Sequence, residues 1–263
     1  MSVLAFLRAN NDLDSIVQPA IALRAHVAEE DRDPSMHHHR KGQLVVALRG
    51  SVICEVPKGL WMVPPQHGVW IPGGTPHSMK ASANTDLCLL CVEPDAITLP
   101  SECCTLSITP LLRELILRLS TCSQAYEVGS STDRLVALLL EELSNMKIEL
   151  LYFPVSEERK LRTIADELVS NPADRRTARE WAAHLAVSER TLTRMILDET
   201  GMSFGRWRQQ LQVILALKGL YAGKSIQALS EELGYESVSA FITMFKKALG
   251  KPPARYYNET RLS

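Results

Sequence analysis

One near-repeat constrains this chain more than any other feature. Trp181-Ala-Ala-His-Leu185-Ala186-Val187-Ser188-Glu-Arg-Thr-Leu192-Thr-Arg-Met195-Ile196 reads as a short helix, a tight turn and a second helix capped by serine. Ile226-Gln-Ala-Leu229-Ser-Glu-Glu-Leu233-Gly234-Tyr235-Glu-Ser237-Val-Ser-Ala-Phe241-Ile-Thr-Met-Phe245 repeats that plan one residue longer. The turns fall at Ala186 and Gly234. The second helices bury Leu192 and Ile196 in one unit, Phe241 and Phe245 in the other. One such unit would be an ordinary helical hairpin. Two with matching caps and turns predict helix-turn-helix geometry, in which the second helix can enter a DNA major groove. Between them, 204–221 reads as one helix about 25 Å long. Such a spacer could set two recognition helices roughly 34 Å apart, about one DNA turn.

The remaining composition is that of an ordinary globular chain. Of 263 residues, 46% are hydrophobic and 22% charged, which excludes intrinsic disorder and low-complexity architecture. No uncharged apolar run approaches the roughly 18 residues needed to cross a bilayer. The opening Met1–Leu7 is too short for a signal-peptide core and lacks a basic lead-in, so the expectation is a cytoplasmic protein without a membrane partner. The net charge of −1 hides an asymmetry: residues 1–156 carry 12 Lys and Arg against 17 Asp and Glu, whereas 157–263 carry 17 against 13. A surplus of four positive charges permits nucleic-acid binding without requiring it. All six cysteines lie in the first half and read as reduced thiols. Cys88 and Cys91 have redox-motif spacing but sit in an apolar run that reads as a buried strand.

From about residue 19 to 96 the pattern is short strands separated by turns, among them 43–48, 51–56 and 69–71, which predicts a small antiparallel barrel or sandwich. From about 105 the period becomes helical, through Leu112, Leu115, Ile116 and Leu119, then Leu135, Leu138, Leu139 and Leu143. The predicted class is α+β: a barrel over 1–104, a helical dimerisation or linker segment over 105–156, and an all-α domain over 157–263. The second of the linking helices, with Leu135, Leu138, Leu139 and Glu142, is expected to form part of a two-fold homodimer contact.

The second half carries Gly201-Met-Ser203-Phe204-x-x-Trp207-Arg208-x-Gln210-Leu211, Ser225-Ile226, Leu233-Gly234-Tyr235-Glu-Ser237-x-Ser239-Ala240-Phe241-Ile242-x-x-Phe245-Lys246 and Gly250-Lys-Pro252-Pro253-x-x-Tyr256. Over about a hundred residues these motifs resemble those of AraC-type bacterial transcription regulators. Gln212 departs from that pattern, since related sequences carry a basic residue on this helix. The resemblance implies a double-stranded DNA operator as partner, with activation or repression as the output. It implies base-reading side chains at Arg190, Thr193 and Arg194 in the first unit, and at Val238, Ser239, Ile242 and Thr243 in the second. Arginine can bond guanine through two hydrogen bonds, so the first unit is expected to carry most hydrogen-bonded readout. The alternative for Arg194 is a surface pair with Glu189 or Asp198.

In the first half, His37-x-His39-x3-Gln43-x6-Gly50 and Pro72-x-Gly74-x2-His77 resemble the two cupin motifs. The departures are Asp31 and Gln66 at the leading glycine positions, Gln43 for the acidic ligand, and Ala81 for the final Asn. The resemblance implies a jelly-roll in which His37, His39, Gln43 and His77 converge, with Trp70 as an aromatic wall, to bind a small-molecule effector. His37, His39 and His77 also form a donor set for a divalent metal, a reading placed second because the missing carboxylate weakens it. In a third reading, the histidines are inherited barrel residues without a ligand. His38 should point away, while His67 and His184 read as packing or surface residues. The leading function is a transcription regulator whose barrel senses and whose helices read DNA. The alternative is a cupin-type metalloenzyme with an accessory helical domain.

Overall fold

The computed structural model describes residues 13–262, apart from 33–34, 51, 58, 64–66, 150–151, 155 and 157. The opening Met1–Leu7, Ser51 and Gln66 lie outside the described residues. The chain divides into two compact units. One runs to Val56 and resumes over Trp61–Leu151; the other joins Pro57–Leu60 to Tyr152–Leu262. Among the described residues no helix is long and apolar enough to cross a membrane.

The first unit is built of β1 (Ala20–Val27), β2 (Asp31–Arg32), β3 (Gly42–Arg49), β4 (Val52–Val56), β5 (Gly59–Val63) from Trp61 onward, β6 (His67–Ile71), β7 (Ser78–Ala81), β8 (Thr85–Val92), β9 (Cys104–Ser107) and β10 (Ile148–Glu149). One antiparallel sheet runs β1-β8-β3-β6-β9-β10, and a second includes β5-β4-β7-β2. The central strand β3 is buried from Gly42 through Ala47 because both of its faces are covered. Successive side chains alternate between faces, so Leu44 and Val46 point one way and Gln43, Val45 and Ala47 the other. On the Leu44 side lie Trp70, Cys88 and Leu90, packed with Leu112, Ile116 and Leu119 of α1 (Pro110–Leu119) and Val136, Leu139, Leu140 and Leu143 of α2 (Ser131–Ser144). Thr109 caps α1 by accepting from the Leu112 N–H at 3.2 Å, and Pro110 stands where no intrahelical N–H is needed.

Two expectations need correction here. Helical structure does not begin at 105: residues 104–107 form β9, which pairs with Trp70 through His67. Four residues are too few to show a period. Leu139, expected at a dimer contact, is fully buried against the barrel, and of the leucines on that helix only Leu138 is exposed, at 43%. The CxxC cysteines sit within β8, where a three-residue offset sends Cys88 and Cys91 to opposite faces. Burial raises their thiols to about 11 and about 12 respectively.

The second unit contains α3 (Arg159–Ser170), α4 (Ala178–His184), α5 (Glu189–Thr200), α6 (Phe204–Tyr221), α7 (Ile226–Glu232), α8 (Val238–Leu249) and α9 (Pro253–Leu262). Ser188, Ser203, Ser225 and Ser237 each accept from a backbone N–H at N3, so all four predicted caps are formed. Thr177 and Glu180 close a capping box on α4. The turns at Ala186 and Gly234 are left-handed, with φ of 52° and 69°. At the centre, Trp207 is fully buried and donates its Nε1–H to the Pro154 carbonyl at 2.8 Å, its ring stacked on Phe153. β11 (Phe153–Pro154) pairs there with Leu60 and Gly59. Gln212 is a core residue: it accepts from Tyr235 Oη at 2.8 Å and donates to the Leu233 carbonyl at 3.4 Å. It ties α6 to the second turn rather than reaching outward.

Candidate effector site and DNA-reading helices

The two histidine motifs meet through backbone. His37 and His77 exchange N–H to carbonyl bonds of 2.9 and 2.8 Å, and the Gly74 N–H donates to the His39 carbonyl at 2.8 Å. The three rings of His37, His39 and His77 therefore cluster, with centroids 4.5 to 6.1 Å apart. One ligand nitrogen from each lies within 4.8 Å of the others. His39 Nδ1 sits 2.6 Å from the Lys41 carbonyl and His77 Nδ1 2.8 Å from the Thr75 carbonyl. A carbonyl can only accept, so Nδ1 carries the proton in His77 and its Nε2 presents a lone pair, whereas His39 faces an acceptor at each nitrogen, the Lys41 carbonyl at Nδ1 and Gln43 Oε1 at Nε2. His77 Nε2 is buried and has no hydrogen-bond partner.

Electrostatics keep that lone pair available. Burial lowers the His77 pKa to about 4; the Thr75 carbonyl opposes the shift, and the neighbouring His37, His39 and His38 add to it. His77 is thus neutral at pH 7. Gln43 is buried beside the cluster, its Oε1 3.2 Å from His39 Nε2 and its Nε2 donating to Met79 Sδ at 3.6 Å. Behind His39, the fully buried Lys41 pairs its Nζ with the Glu93 carboxylate and donates to the Gln18 carbonyl at 3.3 Å. This ion pair anchors the residue whose carbonyl orients His39.

Four of the five proposed effector residues are brought together; Trp70 is not. It faces the helix-covered side of the sheet, opposite Gln43, and donates its Nε1–H to the Pro100 carbonyl at 2.8 Å. Its position opposite Leu44 in the β3–β6 register decides this. His38 points to solvent, His67 is buried in β6, and His184 lies at the surface, 3.2 Å from Glu167.

In the second unit, α5 buries Leu192 and Ile196 and exposes Arg190 and Arg194. Neither arginine has a side-chain partner among the described residues, so the surface pair with Glu189 or Asp198 is not formed. Thr193 is half-buried and returns its hydroxyl to the Glu189 carbonyl at 2.9 Å. On α8, Phe241, Met244 and Phe245 face the core; Ser239 and Thr243 are exposed, and Val238 and Ile242 are half-buried. Two residues extend these stripes by one helical turn: Leu197 follows Arg190, Thr193 and Arg194, and Lys246 follows Ser239, Ile242 and Thr243. The i, i+3, i+4, i+7 spacing that carries the stripes already marks both.

The description "AraC-like ligand binding domain" matches residues 20–145, and "Helix-turn-helix domain" matches residues 181–259. The HTH-type transcriptional regulator NimR of Escherichia coli K12 is 46% identical over 239 residues, covering 91% of this chain and 88% of that protein. The chain belongs to the AraC family. As an AraC-family member it is a DNA-binding transcription regulator with a ligand-binding domain. The regulator RipA of Corynebacterium glutamicum is 36% identical over 103 residues, 39% of this AraC-family chain and 31% of that protein. A solved structure of unsaturated fatty acid bound ToxT from Vibrio cholerae aligns over 90% of this chain and 94% of its own, at 12% identity and a TM-score of 0.38.

Proposed function

We propose that this regulator takes its effector at the His37–His39–His77 cluster, and that the cluster holds a divalent transition-metal ion. The observation that carries this reading is the buried, unpartnered Nε2 of His77, aimed into a group whose other members offer nitrogen within 4.8 Å. Imidazoles whose Nδ1–H is tied to a backbone carbonyl have the tautomer and orientation that metal sites need. Three neutral nitrogens with a neighbouring amide suit zinc, nickel, cobalt or copper better than an ion that demands carboxylate oxygen. Gln43 adds no charge, so the site keeps the ion's full positive charge for an anionic or electron-rich effector. Bound effector alters operator affinity only if it favours one arrangement of the protein over another.

The output side of the proposal is a cytoplasmic homodimer. Arg190 and Arg194 read bases, helped by Thr193, and α8 presents Val238, Ser239, Ile242 and Thr243 to a second groove segment. Leu111 on α1 and Leu138 on α2, 49% and 43% exposed, form the centre of the two-fold contact. The test is to strip the full chain with chelator and titrate cobalt(II), following its visible absorption and operator affinity together. Stoichiometric binding that His77→Ala and His39→Ala abolish supports the site. A double His37→Ala, His77→Ala variant that folds, binds operator and keeps the full inducer response places sensing elsewhere.

A further inference from the structure

A cleft of about 400 Å³ opens between α6 and α8, lined by Arg206, Gln209, Gln210, Val213, Lys247 and Ala248. Its wall holds two cations and two carboxamides and no acid. Arg206 and Lys247 are exposed and have no side-chain partner among the described residues. Arg206 also stands in the first turn of α6, at the positive end of an 18-residue helix dipole. A cation there is disfavoured by the helix itself, whereas an anion would be held by both.

The position of the cleft relative to the reading stripe gives the anion's identity. Lys247 follows Lys246 by one residue, about 100° around α8, and so flanks the stripe of Ser239, Ile242, Thr243 and Lys246. A helix about 10–12 Å across fills a major groove about 12 Å wide, so side chains on its flank meet the phosphate wall and not base edges. The surrounding charge agrees. Residues 238–258 contain four cations (Lys246, Lys247, Lys251 and Arg255) and no acid, whereas 188–200 contain two cations against three acids.

We propose that the α6–α8 cleft seats one phosphate of the DNA backbone, held by Arg206 and Lys247 with the Gln209 amide as a further donor. The proposal rests on reading α8 as a groove helix. It divides the labour between the two helix-turn-helix motifs. The second supplies sequence-independent, salt-sensitive affinity, and the first, acidic around its two arginines, supplies discrimination.

The experiment measures full-length chain on two duplexes, one carrying the footprinted operator and one of scrambled sequence, over a series of salt concentrations. For Arg206→Gln with Lys247→Gln, the slope of log affinity against log salt should become shallower by about 0.9, the value for one released phosphate. Affinity for both duplexes should fall by the same factor, leaving the specificity ratio unchanged. An unchanged slope, or a loss confined to the operator duplex, overturns the proposal. So does unaltered DNA binding accompanied by lost transcription in a reconstituted assay, which would make the cleft a contact for a protein. Arg190→Ala and Arg194→Ala run alongside. If they keep full specificity while the cleft variant loses slope, the base-reading assignment fails and the phosphate seat stands.

Discussion

Gly234→Ala is the most informative single change in the second unit, because the chain supplies its own controls. Gly234 has φ of 69°, a region that costs a residue with Cβ about 1–2 kcal/mol. Replacing glycine by alanine recovers about 0.4–1 kcal/mol by restricting the unfolded chain. Backbone conformation alone therefore predicts a net loss of roughly 0–1.5 kcal/mol. Gly201, at φ 68° with nothing within 4 Å of an added Cβ, should show that value and no more. At Gly234 the added Cβ would lie 2.9 Å from Ala173 Cα, 3.0 Å from its carbonyl oxygen and 3.1 Å from its Cβ. Those are mostly backbone atoms of the α3–α4 connection, which cannot rotate away, and overpacking of this kind costs about 1–3 kcal/mol more. The expected loss is about 1–4.5 kcal/mol. Ala186 closes the equivalent turn of the first helix-turn-helix at φ 52°, so Ala186→Gly should be neutral or stabilise by up to about 1.5 kcal/mol. Urea unfolding of the full chain, followed by far-ultraviolet circular dichroism, compares the three. If Gly234→Ala costs no more than Gly201→Ala, contact with Ala173 is not what requires glycine in that turn.

Three further outcomes are expected. Arg190→Ala and Arg194→Ala should each lose about 1–3 kcal/mol of operator binding and relax preference at one or two base pairs, measured by competition at fixed salt. Gln212→Ala leaves the Tyr235 hydroxyl and the Leu233 carbonyl unpartnered in a buried site. It should destabilise the helical unit by about 1–3 kcal/mol in thermal unfolding, and an unchanged midpoint would show that water replaces the amide. If the proposed homodimer forms, Leu111→Glu with Leu138→Glu should convert it to monomer in sedimentation at micromolar concentration without lowering the unfolding midpoint; a persisting dimer moves the contact to another face.

The sequence alone determined what depends on neighbours within a turn or two of chain. Ser188, Ser203, Ser225 and Ser237 announce their helices because a capping hydroxyl bonds an N–H three residues away. The exposed stripes are equally local, since helical phase assigns Phe241 and Phe245 to the core and Ser239 and Thr243 to the surface. The resemblance to the cupin motifs implied that His37, His39 and His77 converge, but the distances needed the backbone bridge between two residues forty positions apart. Tertiary structure decided what depends on partner strands and covering helices. Trp70 has the composition of a pocket wall, yet its register opposite Leu44 turns it to the helix-covered face. Leu139 carries the same periodicity as Leu138, yet rotation of α2 on the barrel buries one and exposes the other. Gln212, on a helix buried along most of its length, could have faced DNA or core until Tyr235 was placed against it. Strand β9 has only four residues and no period of its own; its pairing with β6 makes it a strand. A local pattern sets which face of an element is apolar, but only long-range packing sets what that face meets.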